Sequence, residues 1–369
     1  MPATVAINGR FLGRQATGVD RFAHEVVRCI DQLVAEQDPA TAGLAFELLV
    51  PPDVSVDARQ FPNLRVRHVG RGGGQLWEQV SLPLAAGGAL LLNLCNAAPL
   101  FYPNQVTVMH DAAPVRVPQA YSRAFRSWYG VMAPWVGRVA RRVLTVSEFS
   151  RREIASAYRI PGRKIGVLPL SGDHMLRLPE AEDVRRKFGL SDRPYVLAVS
   201  SASYHKNFRL VSDAVGMLGA VDYDVVIVGG GGHVFQSVRE EANALADTRV
   251  KRLGYVDDAD LKALFRGAGC FVFPSLYEGY GLPPVEAMTL GCPVLAANLP
   301  SVREACGPAV LYFQPTSPRE FGALLTRVMQ DSALREKLRE KGLVRARRYS
   351  WRDTAARLLG EISPWLPQR

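Results

Sequence analysis

Residues 270–288, CFVFPSLYEGYGLPPVEAM, combine an apolar run, a glycine-rich turn and the start of a helix. Cys270–Phe273 has the continuous apolar, β-favouring composition of a strand that is buried on both faces, and Pro274 ends it. Pro283 and Pro284 suit the first turn of a helix. We therefore predict a strand–loop–helix unit whose loop lies at the carboxyl end of a parallel sheet, where ligands of α/β proteins bind.

Two carboxylates, Glu278 and Glu286, belong to this loop and helix. Gly279 and Gly281 let the backbone approach a ligand, and the helix N-terminus offers unpaired N–H groups to an anion. Glu286 would repel a phosphate, but one carboxylate can accept hydrogen bonds from both hydroxyls of a ribose. Glu278 could reach a second polyhydroxy group or a developing positive charge. Either Glu alone would be an ordinary solvated residue, whereas the pair favours a ligand site.

The whole chain repeats this alternation of short apolar strands and amphipathic helices. We predict strands at residues 4–8, 44–50, 89–93, 105–109, 142–146, 165–170, 195–199, 224–228, 249–252, 270–273, 293–297 and 310–313. We predict helices at residues 19–35, 76–86, 122–142, from 147, 181–188, 208–218, 234–245, 261–268, 318–330, 333–349 and 351–362. A hinge is expected at residues 171–173. The expected architecture is therefore two doubly wound parallel-sheet domains that face each other across a cleft.

The amino-acid composition indicates the broad class of protein. The chain has 369 residues, 48% of them hydrophobic and 22% charged, which indicates a globular protein of about two domains. The longest apolar stretch, residues 82–101, is interrupted by prolines and glycines and is not a membrane span. We expect no signal peptide, and five cysteines without CxxC spacing indicate a reducing cytoplasm. The net charge of +10 predicts an anionic partner, but no nucleic-acid-binding motif is present.

Taken together, the motifs make the chain resemble the retaining glycosyltransferases of family 4, which have the GT-B fold. PSLYEGYGLPPVEAM, followed by GCPVLA, carries the family's Glu-x7-Glu pair as Glu278 and Glu286. The supporting motifs, in order, are VMHD (108–111), TVSEFSRREI (145–154), HKN (205–207), VIVGGGG (226–232), RLGYVDDADLKALF (252–265) and RYSWRDTAARLL (348–359). The resemblance covers nearly the whole chain. It implies an N-terminal acceptor-binding domain at residues 1–171, onto which residues 351–369 cross back, and a C-terminal donor-binding domain at residues 172–350.

The resemblance also implies roles for individual residues. Glu286 would bind the ribose of a nucleotide sugar, and Glu278 the transferred sugar. Lys206 would pair with the diphosphate. His110 would lie beside the donor sugar. The other donor-binding positions would be Gly279, Tyr280, Gly281, Leu282, Val256 near the base, Gly18 at the phosphates, and Ser200, which stands where many members have an arginine a few residues before the lysine. His205 or another basic group would then have to replace that arginine.

The implied reaction needs negative charge on the leaving β-phosphate to be stabilised. Lys206, backbone N–H groups and the helix N-terminus could supply this without a metal, and no cofactor is expected. We therefore interpret Lys206, Glu278 and His110 as the catalytic residues, acting by positioning and electrostatics. Asp222-Tyr223-Asp224 formally fits a metal-binding DxD pattern, but it precedes a strand at its amino end and is interpreted as a turn. Asp257-Asp258-Ala259-Asp260 precedes the predicted helix at residues 261–268, and part of this stretch is interpreted as the helix N-cap.

Residues 116–152 contain eight arginines interspersed with Trp128, Tyr129 and Trp135. This segment is either a solvated basic face or a contact for an anionic, lipid-linked acceptor or the membrane surface.

The leading hypothesis is transfer of a hexosyl unit to a glycan or lipid-linked acceptor, on the cytoplasmic side and peripheral to the inner face of the membrane. The VDDA loop resembles that of GDP-mannose users, which implies GDP-mannose as the donor, with UDP-sugars as the second choice. The alternatives are a sugar-phosphate synthase of the same fold and a catalytically silent sugar-nucleotide-binding partner.

Overall fold

The computed structural model describes residues 2–15, 17–199, 203–219, 221–229 and 250–366. The chain divides into two compact units. Unit 1 comprises Met1–Leu170 together with Tyr349–Arg369, and unit 2 comprises Ser171–Arg348. The chain therefore leaves unit 1 once, at Leu170, and returns to it for the last helix.

Unit 1 is built on a seven-stranded sheet in which every pairing is parallel. Its strands are β1 (Ala3–Asn8), β2 (Leu44–Val50), β3 (Arg65–His68), β4 (Leu90–Asn93), β5 (Gln105–Val108), β6 (Arg142–Thr145) and β7 (Ile165–Val167). Their order in the sheet is β3-β2-β1-β4-β5-β6-β7. All four residues of β4 and of β5 are buried, as expected for central strands covered on both faces.

The α-helices of unit 1 are α1 (Gly18–Ala35), α2 (Gly74–Leu76), α3 (Leu82–Ala86), α4 (Ala113–Arg116), α5 (Arg123–Val139) and α6 (Glu148–Tyr158), with α15 (Trp351–Ile362) from the end of the chain. A π-helical turn, Trp77–Ser81, joins α2 to α3. Thr17 and Asp20 form a capping box at the start of α1, which explains why the helix begins there. Ser147 caps α6, as the sequence predicts.

Unit 2 is built on a six-stranded, entirely parallel sheet. Its strands are β8 (Tyr195–Val199), β9 (Asp224–Val228), β10 (Val250–Gly254), β11 (Cys270–Phe273), β12 (Val294–Ala297) and β13 (Leu311–Phe313). Their order is β10-β9-β8-β11-β12-β13. The α-helices are α7 (His174–Arg177), α8 (Val184–Lys187), α9 (Phe208–Leu218), α10 (Asp258–Gly267), α11 (Leu282–Thr289), α12 (Pro300–Cys306), α13 (Pro318–Gln330) and α14 (Ser332–Ala346).

The fold prediction is confirmed: two Rossmann-like doubly wound parallel sheets, each with its own hydrophobic core. The sequence missed β3 and the short helices α4, α7 and α12. The predicted charged helix at residues 181–188 is wrong in extent, because Asp183 adopts a left-handed backbone conformation and caps a single helical turn at Val184–Lys187. The predicted helix at 234–245, the glycines 230–232 and Ser200 lie outside the described residues. Within the described ranges, no helix is both long and apolar enough to cross a bilayer.

Candidate functional site

The order of strands in unit 2 marks one position at the sheet's carboxyl edge. From β8 the chain proceeds outward through β9 to β10, and then returns to β11 on the other side of β8 before reaching β12 and β13. The connections that leave β8 and β11 therefore diverge, and such a topological switch point is where open α/β sheets bind ligands. The segments that follow β8 and β11 are the ones that carry Lys206 and Glu278.

Lys206 and Glu278 meet at this switch point. The Lys206 Nζ lies 2.7 Å from Glu278 Oε1, and the Ser275 hydroxyl donates to the same oxygen at 2.7 Å. The two charged side chains are only 17% and 13% exposed, so their interaction is less screened than that of a surface ion pair. The structure thus brings together a cation and a carboxylate that are 72 positions apart in the sequence.

Two polar residues hold the ion pair in place. Asn207 adopts a left-handed conformation, φ +55°, and its side-chain amide donates to the carbonyl oxygens of Pro274 and Pro315 at 3.0 and 2.9 Å. This ties the Tyr204–Lys206 turn to the ends of β11 and β13. Ser301, fully buried, donates its hydroxyl to the backbone carbonyl of Glu278 at 2.7 Å. Both the side chain and the backbone of Glu278 are therefore fixed by serine hydroxyls.

The glycine turn after Glu278 leads directly into α11. Gly281 precedes the helix with φ +106°, a conformation that residues with a side chain rarely adopt. Tyr280 and Leu282 on either side are buried, at 6% exposure each, so the turn is anchored by apolar packing. Pro283 and Pro284 lie in the first turn, as the sequence predicts. The N-terminus of α11 is consequently held in a defined position next to the loop that carries Glu278.

Glu286 lies on α11 and is 7% exposed. Its Oε1 is 3.1 Å from Nε2 of His174, which is itself almost completely buried. His174 opens α7, just beyond the division between the two units. No sequence motif singled out this histidine.

His205 is neutral at pH 7. Burial, followed by the neighbouring Lys206 charge, lowers the pKa of His205 to about 4, against a smaller opposing effect of Glu278. An uncharged imidazole is a poor replacement for the arginine that the resemblance implies before the lysine. Val256, proposed near the base, is 7% exposed and follows β10.

His110 follows β5 in unit 1 and is also neutral. Desolvation lowers the pKa of His110 to about 4, opposed by its hydrogen bond to the Leu94 carbonyl and by the Asp20 charge. Because a carbonyl oxygen only accepts, the ring donates from Nε2 to Leu94, over 2.9 Å, and Nδ1 is left as an acceptor. Phe22 packs edge-on against the ring at 4.9 Å, and Asn96 accepts from the His110 backbone N–H.

The switch point of the unit 1 sheet lies between β1 and β4 and carries a buried polar cluster. Glu78, on the π-helical turn, accepts from the Asn8 amide at 2.8 Å and from the Arg10 guanidinium at 2.7 Å. Asn8 also donates to Asn93 at 3.0 Å. A small cavity is lined in part by Arg10, Glu78 and Arg14. Sequence reasoning missed this cluster, although its glutamate lies on a π-turn, a feature that is frequent at functional sites.

Gly18 is the first residue of α1, and a side chain added there would meet no atom within 4 Å. The position therefore has open space at the start of α1, and the contact of Gly18 with phosphates stays a prediction. The two acidic motifs are structural. Asp224 starts β9 and accepts from the Ser191 hydroxyl at 2.6 Å, at the amino end of the sheet and away from Lys206. Asp257 caps α10 by accepting from the Asp260 N–H at 2.8 Å, which confirms the N-cap prediction.

Residues 180–345 match the family model described as glycosyl transferases group 1. The chain is 34% identical over 223 residues to the O-antigen chain mannosyltransferase B of Escherichia coli, covering 58% of each protein. It is 26% identical over 271 residues to the Escherichia coli serotype-specific mannosyltransferase WbdA, covering 68% of this chain and 32% of that protein. The matched segments thus span less than two thirds of these relatives.

Among solved structures, the chain is similar to HepE of Anabaena, crystallised with UDP and glucose, with a TM-score of 0.76 at 16% identity, covering 98% of this chain and all of that one. It is similar to sucrose-phosphate synthase from Thermosynechococcus elongatus with a TM-score of 0.75 at 16% identity and 98% coverage of both. The fold is therefore GT-B.

Proposed function

We propose that the protein is a glycosyltransferase that transfers a hexosyl unit from a nucleotide sugar to a hydroxyl acceptor with retention of configuration. The observation that carries this proposal is the contact of Lys206 with Glu278 at the switch point of unit 2, beside the helix that carries Glu286. The match of residues 180–345 to the group 1 model covers all three residues.

In this proposal Lys206 binds the diphosphate and Glu286 the ribose diol, while Glu278 binds the transferred sugar. The backbone from Gly279 to Leu282 contacts the sugar or diphosphate, and Val256 the base. The bond between the anomeric carbon and the β-phosphate oxygen breaks, and the acceptor oxygen bonds to that carbon on the same face. The acceptor proton passes to the departing phosphate oxygen. Lys206 and the N-terminus of α11 stabilise the charge that develops on that phosphate.

We propose that unit 1 binds the acceptor, with sugar hydroxyls meeting the Arg10–Glu78 cluster, and that Gly18 and His110 serve the donor's phosphates and sugar. His110, neutral and with Nδ1 available, would accept a hydrogen bond from a sugar hydroxyl and would not supply a cation. Mannose from GDP-mannose is the favoured donor, because the relatives above are named mannosyltransferases. UDP-sugars are the second choice.

A thermal-shift screen against GDP, UDP, ADP and TDP tests the donor. We expect GDP to give the largest stabilisation, and a larger shift with UDP would reassign the donor. Turnover assays with the corresponding nucleotide sugars distinguish a transferase from a silent binding partner. Binding without hydrolysis or transfer to any acceptor would contradict the proposed activity.

Calorimetry with the free nucleoside diphosphate separates the roles of the two glutamates. Glu286→Ala should weaken binding by tenfold or more, as expected for lost hydrogen bonds to a charged group of about 1.5–3 kcal/mol. Glu278→Gln should bind at least as tightly as the wild type, because Lys206 no longer has its carboxylate partner and the diphosphate takes its place. Transfer by Glu278→Gln should nevertheless fall. Equal losses of nucleotide affinity in both variants would contradict these roles.

A surface formed by α5 and Phe101 supports a membrane or lipid-linked acceptor. Phe101 and Trp135 form an exposed edge-to-face pair, 6.3 Å between ring centroids. Within the described residues, no acidic side chain pairs with Arg123, Arg126 or Arg138. We propose that this surface contacts anionic lipid headgroups. Flotation with phosphatidylglycerol vesicles should show salt-sensitive binding that is lost in R123Q/R126Q/R138Q, and no binding at low salt would overturn the proposal.

A further inference from the structure

The first residues of unit 2 lie against the helix that carries Glu286. Gly172 has no space for a side chain on this side. A Cβ at Gly172 would lie 2.4 Å from the Thr289 Oγ1, 2.8 Å from the Val285 carbonyl oxygen and 3.0 Å from the Glu286 Cα. Two of these three atoms belong to the backbone of α11 and cannot move aside. Gly172 and His174 therefore lie against α11 at the level of Glu286.

This packing places His174 beside the Glu286 carboxylate. The imidazole Nε2 is 3.1 Å from Oε1, within ion-pair distance but without the alignment of a hydrogen bond, and the buried Nε2 has no other hydrogen-bond partner within the described ranges. The two side chains are 1% and 10% exposed. Among the residues that the structure describes, His174 is the only ion-pair partner of this carboxylate. The carboxylate therefore has one oxygen beside a buried ring, while its side chain remains 10% exposed.

A carboxylate at the end of a flexible side chain loses rotational freedom when it binds a diol, and this loss weakens binding. A partner that already restricts the side chain reduces that loss. His174 can do this only through Glu286, because its own side chain is almost inaccessible from outside the protein. Its chemistry, an imidazole nitrogen next to a carboxylate oxygen, is suited to this task.

We propose that His174 is a positioning residue that holds Glu286 in the orientation that accepts the two ribose hydroxyls, and that it thereby sets the preference of the donor site for ribonucleotides. This inference rests on the ribose-binding role proposed for Glu286. His174 does not contact the nucleotide, so its effect is confined to the contribution of the 2′- and 3′-hydroxyls. A role in folding alone would not have that selectivity.

Calorimetry measures this contribution as the ratio of the affinities for GDP and for 2′,3′-dideoxy-GDP. If UDP proves to be the ligand, UDP and 2′,3′-dideoxy-UDP are compared instead. The wild type should prefer the ribonucleotide by about tenfold to a hundredfold, as expected for hydrogen bonds to a charged acceptor. Glu286→Gln and Glu286→Ala should reduce the preference strongly. His174→Leu, of similar volume but without a nitrogen, should reduce it to about a third of the wild-type ratio or less. His174→Asn should also reduce the preference, because the asparagine side chain is too short to place its amide nitrogen at the position of Nε2. His174→Gln, whose side chain is one carbon longer, should restore the preference.

Thr289→Val is the matched control, because it removes one polar atom from the same helix on the side of Gly172; its hydroxyl bonds the Val285 carbonyl and not Glu286. We expect it to leave the preference unchanged. If the Glu286 variants lose the preference while His174→Leu and His174→Asn keep it in full, the inference is wrong and the proposed function stands. If both His174 variants bind the two nucleotides more weakly by the same factor, His174 is structural and the inference is also wrong. If the Glu286 variants keep the preference, the ribose role of Glu286 fails.

Discussion

At the scale of single residues, the burial of His110 makes the stability of the folded chain depend on pH. Its folded pKa, about 4, lies below the ordinary value of 6.5 because the ring is desolvated. The unfolded chain therefore binds a proton that the folded chain does not, so stability is fully present above pH 6.5 and falls as the pH approaches 4. The full difference is on the order of 3 kcal/mol.

Urea unfolding between pH 7 and pH 4.5 tests this prediction. The free energy of unfolding should fall less steeply with acidification in His110→Gln than in the wild type. His68→Gln, at an exposed position, should keep the wild-type slope. Identical slopes in all three proteins would show that His110 is not neutral in the folded state.

Ser275 makes a second prediction at this scale. Its hydroxyl and the Lys206 ammonium share the same oxygen of Glu278. Ser275→Ala should leave the carboxylate paired with Lys206 but less well oriented, so kcat should fall by about tenfold, the effect of one hydrogen bond to a charged group. Affinity for the free nucleoside diphosphate should change little. Ser317→Ala, which removes the N-cap of α13 in the same unit, should lower stability and leave kcat unchanged.

At the scale of elements, the start of α11 depends on Gly281. An alanine there would have to adopt φ +106° and would bring its Cβ within 3.3 Å of the Val302 side chain. Gly281→Ala should destabilise unit 2 by about 1–3 kcal/mol and weaken nucleoside diphosphate binding, because the helix N-terminus must shift. Gly360→Ala, inside α15 with open space around it, should instead stabilise unit 1 by about 0.5–1 kcal/mol. Differential scanning calorimetry and nucleotide titration of both variants check the prediction, and an unchanged Gly281→Ala protein would contradict it.

The helices and strands also differ in how far the sequence alone predicts them. Buried strands such as β11 and amphipathic helices such as α1 are predictable because their apolar spacing follows from which faces are covered. The approach of Lys206 to Glu278 follows from strand order, which periodicity does not specify. The contact of His174 with Glu286 was not predictable, because a one-turn helix after a hinge has no periodic signal. The Asn8–Glu78–Arg10 cluster was missed for a similar reason, since its three residues come from separate elements.

At the scale of the whole molecule, the chain closes unit 1 with its final helix. Trp351 at the start of α15 is fully buried and packs against Phe22 of α1, 5.9 Å between ring centroids. Arg352 pairs with Glu36 and Asp38 at the far end of α1, and the Thr354 hydroxyl donates to the Pro169 carbonyl at 2.6 Å. Unit 1 therefore depends on residues that are synthesised after all of unit 2.

Trp351→Ala should consequently destabilise unit 1 by about 3–5 kcal/mol, the usual cost of truncating a buried aromatic residue. Because Trp351 packs within unit 1, hydrogen exchange should accelerate in α1 and α15 while α11 and the strands of unit 2 keep their protection. The nucleoside diphosphate should still bind to Lys206 and Glu286 in unit 2. Trp365→Ala, at a partly exposed position of the same C-terminal segment, is the control and should leave the exchange of α1 unchanged. Accelerated exchange in α11 of Trp351→Ala would mean that the two units unfold as one, and that the donor site depends on the last helix of the chain.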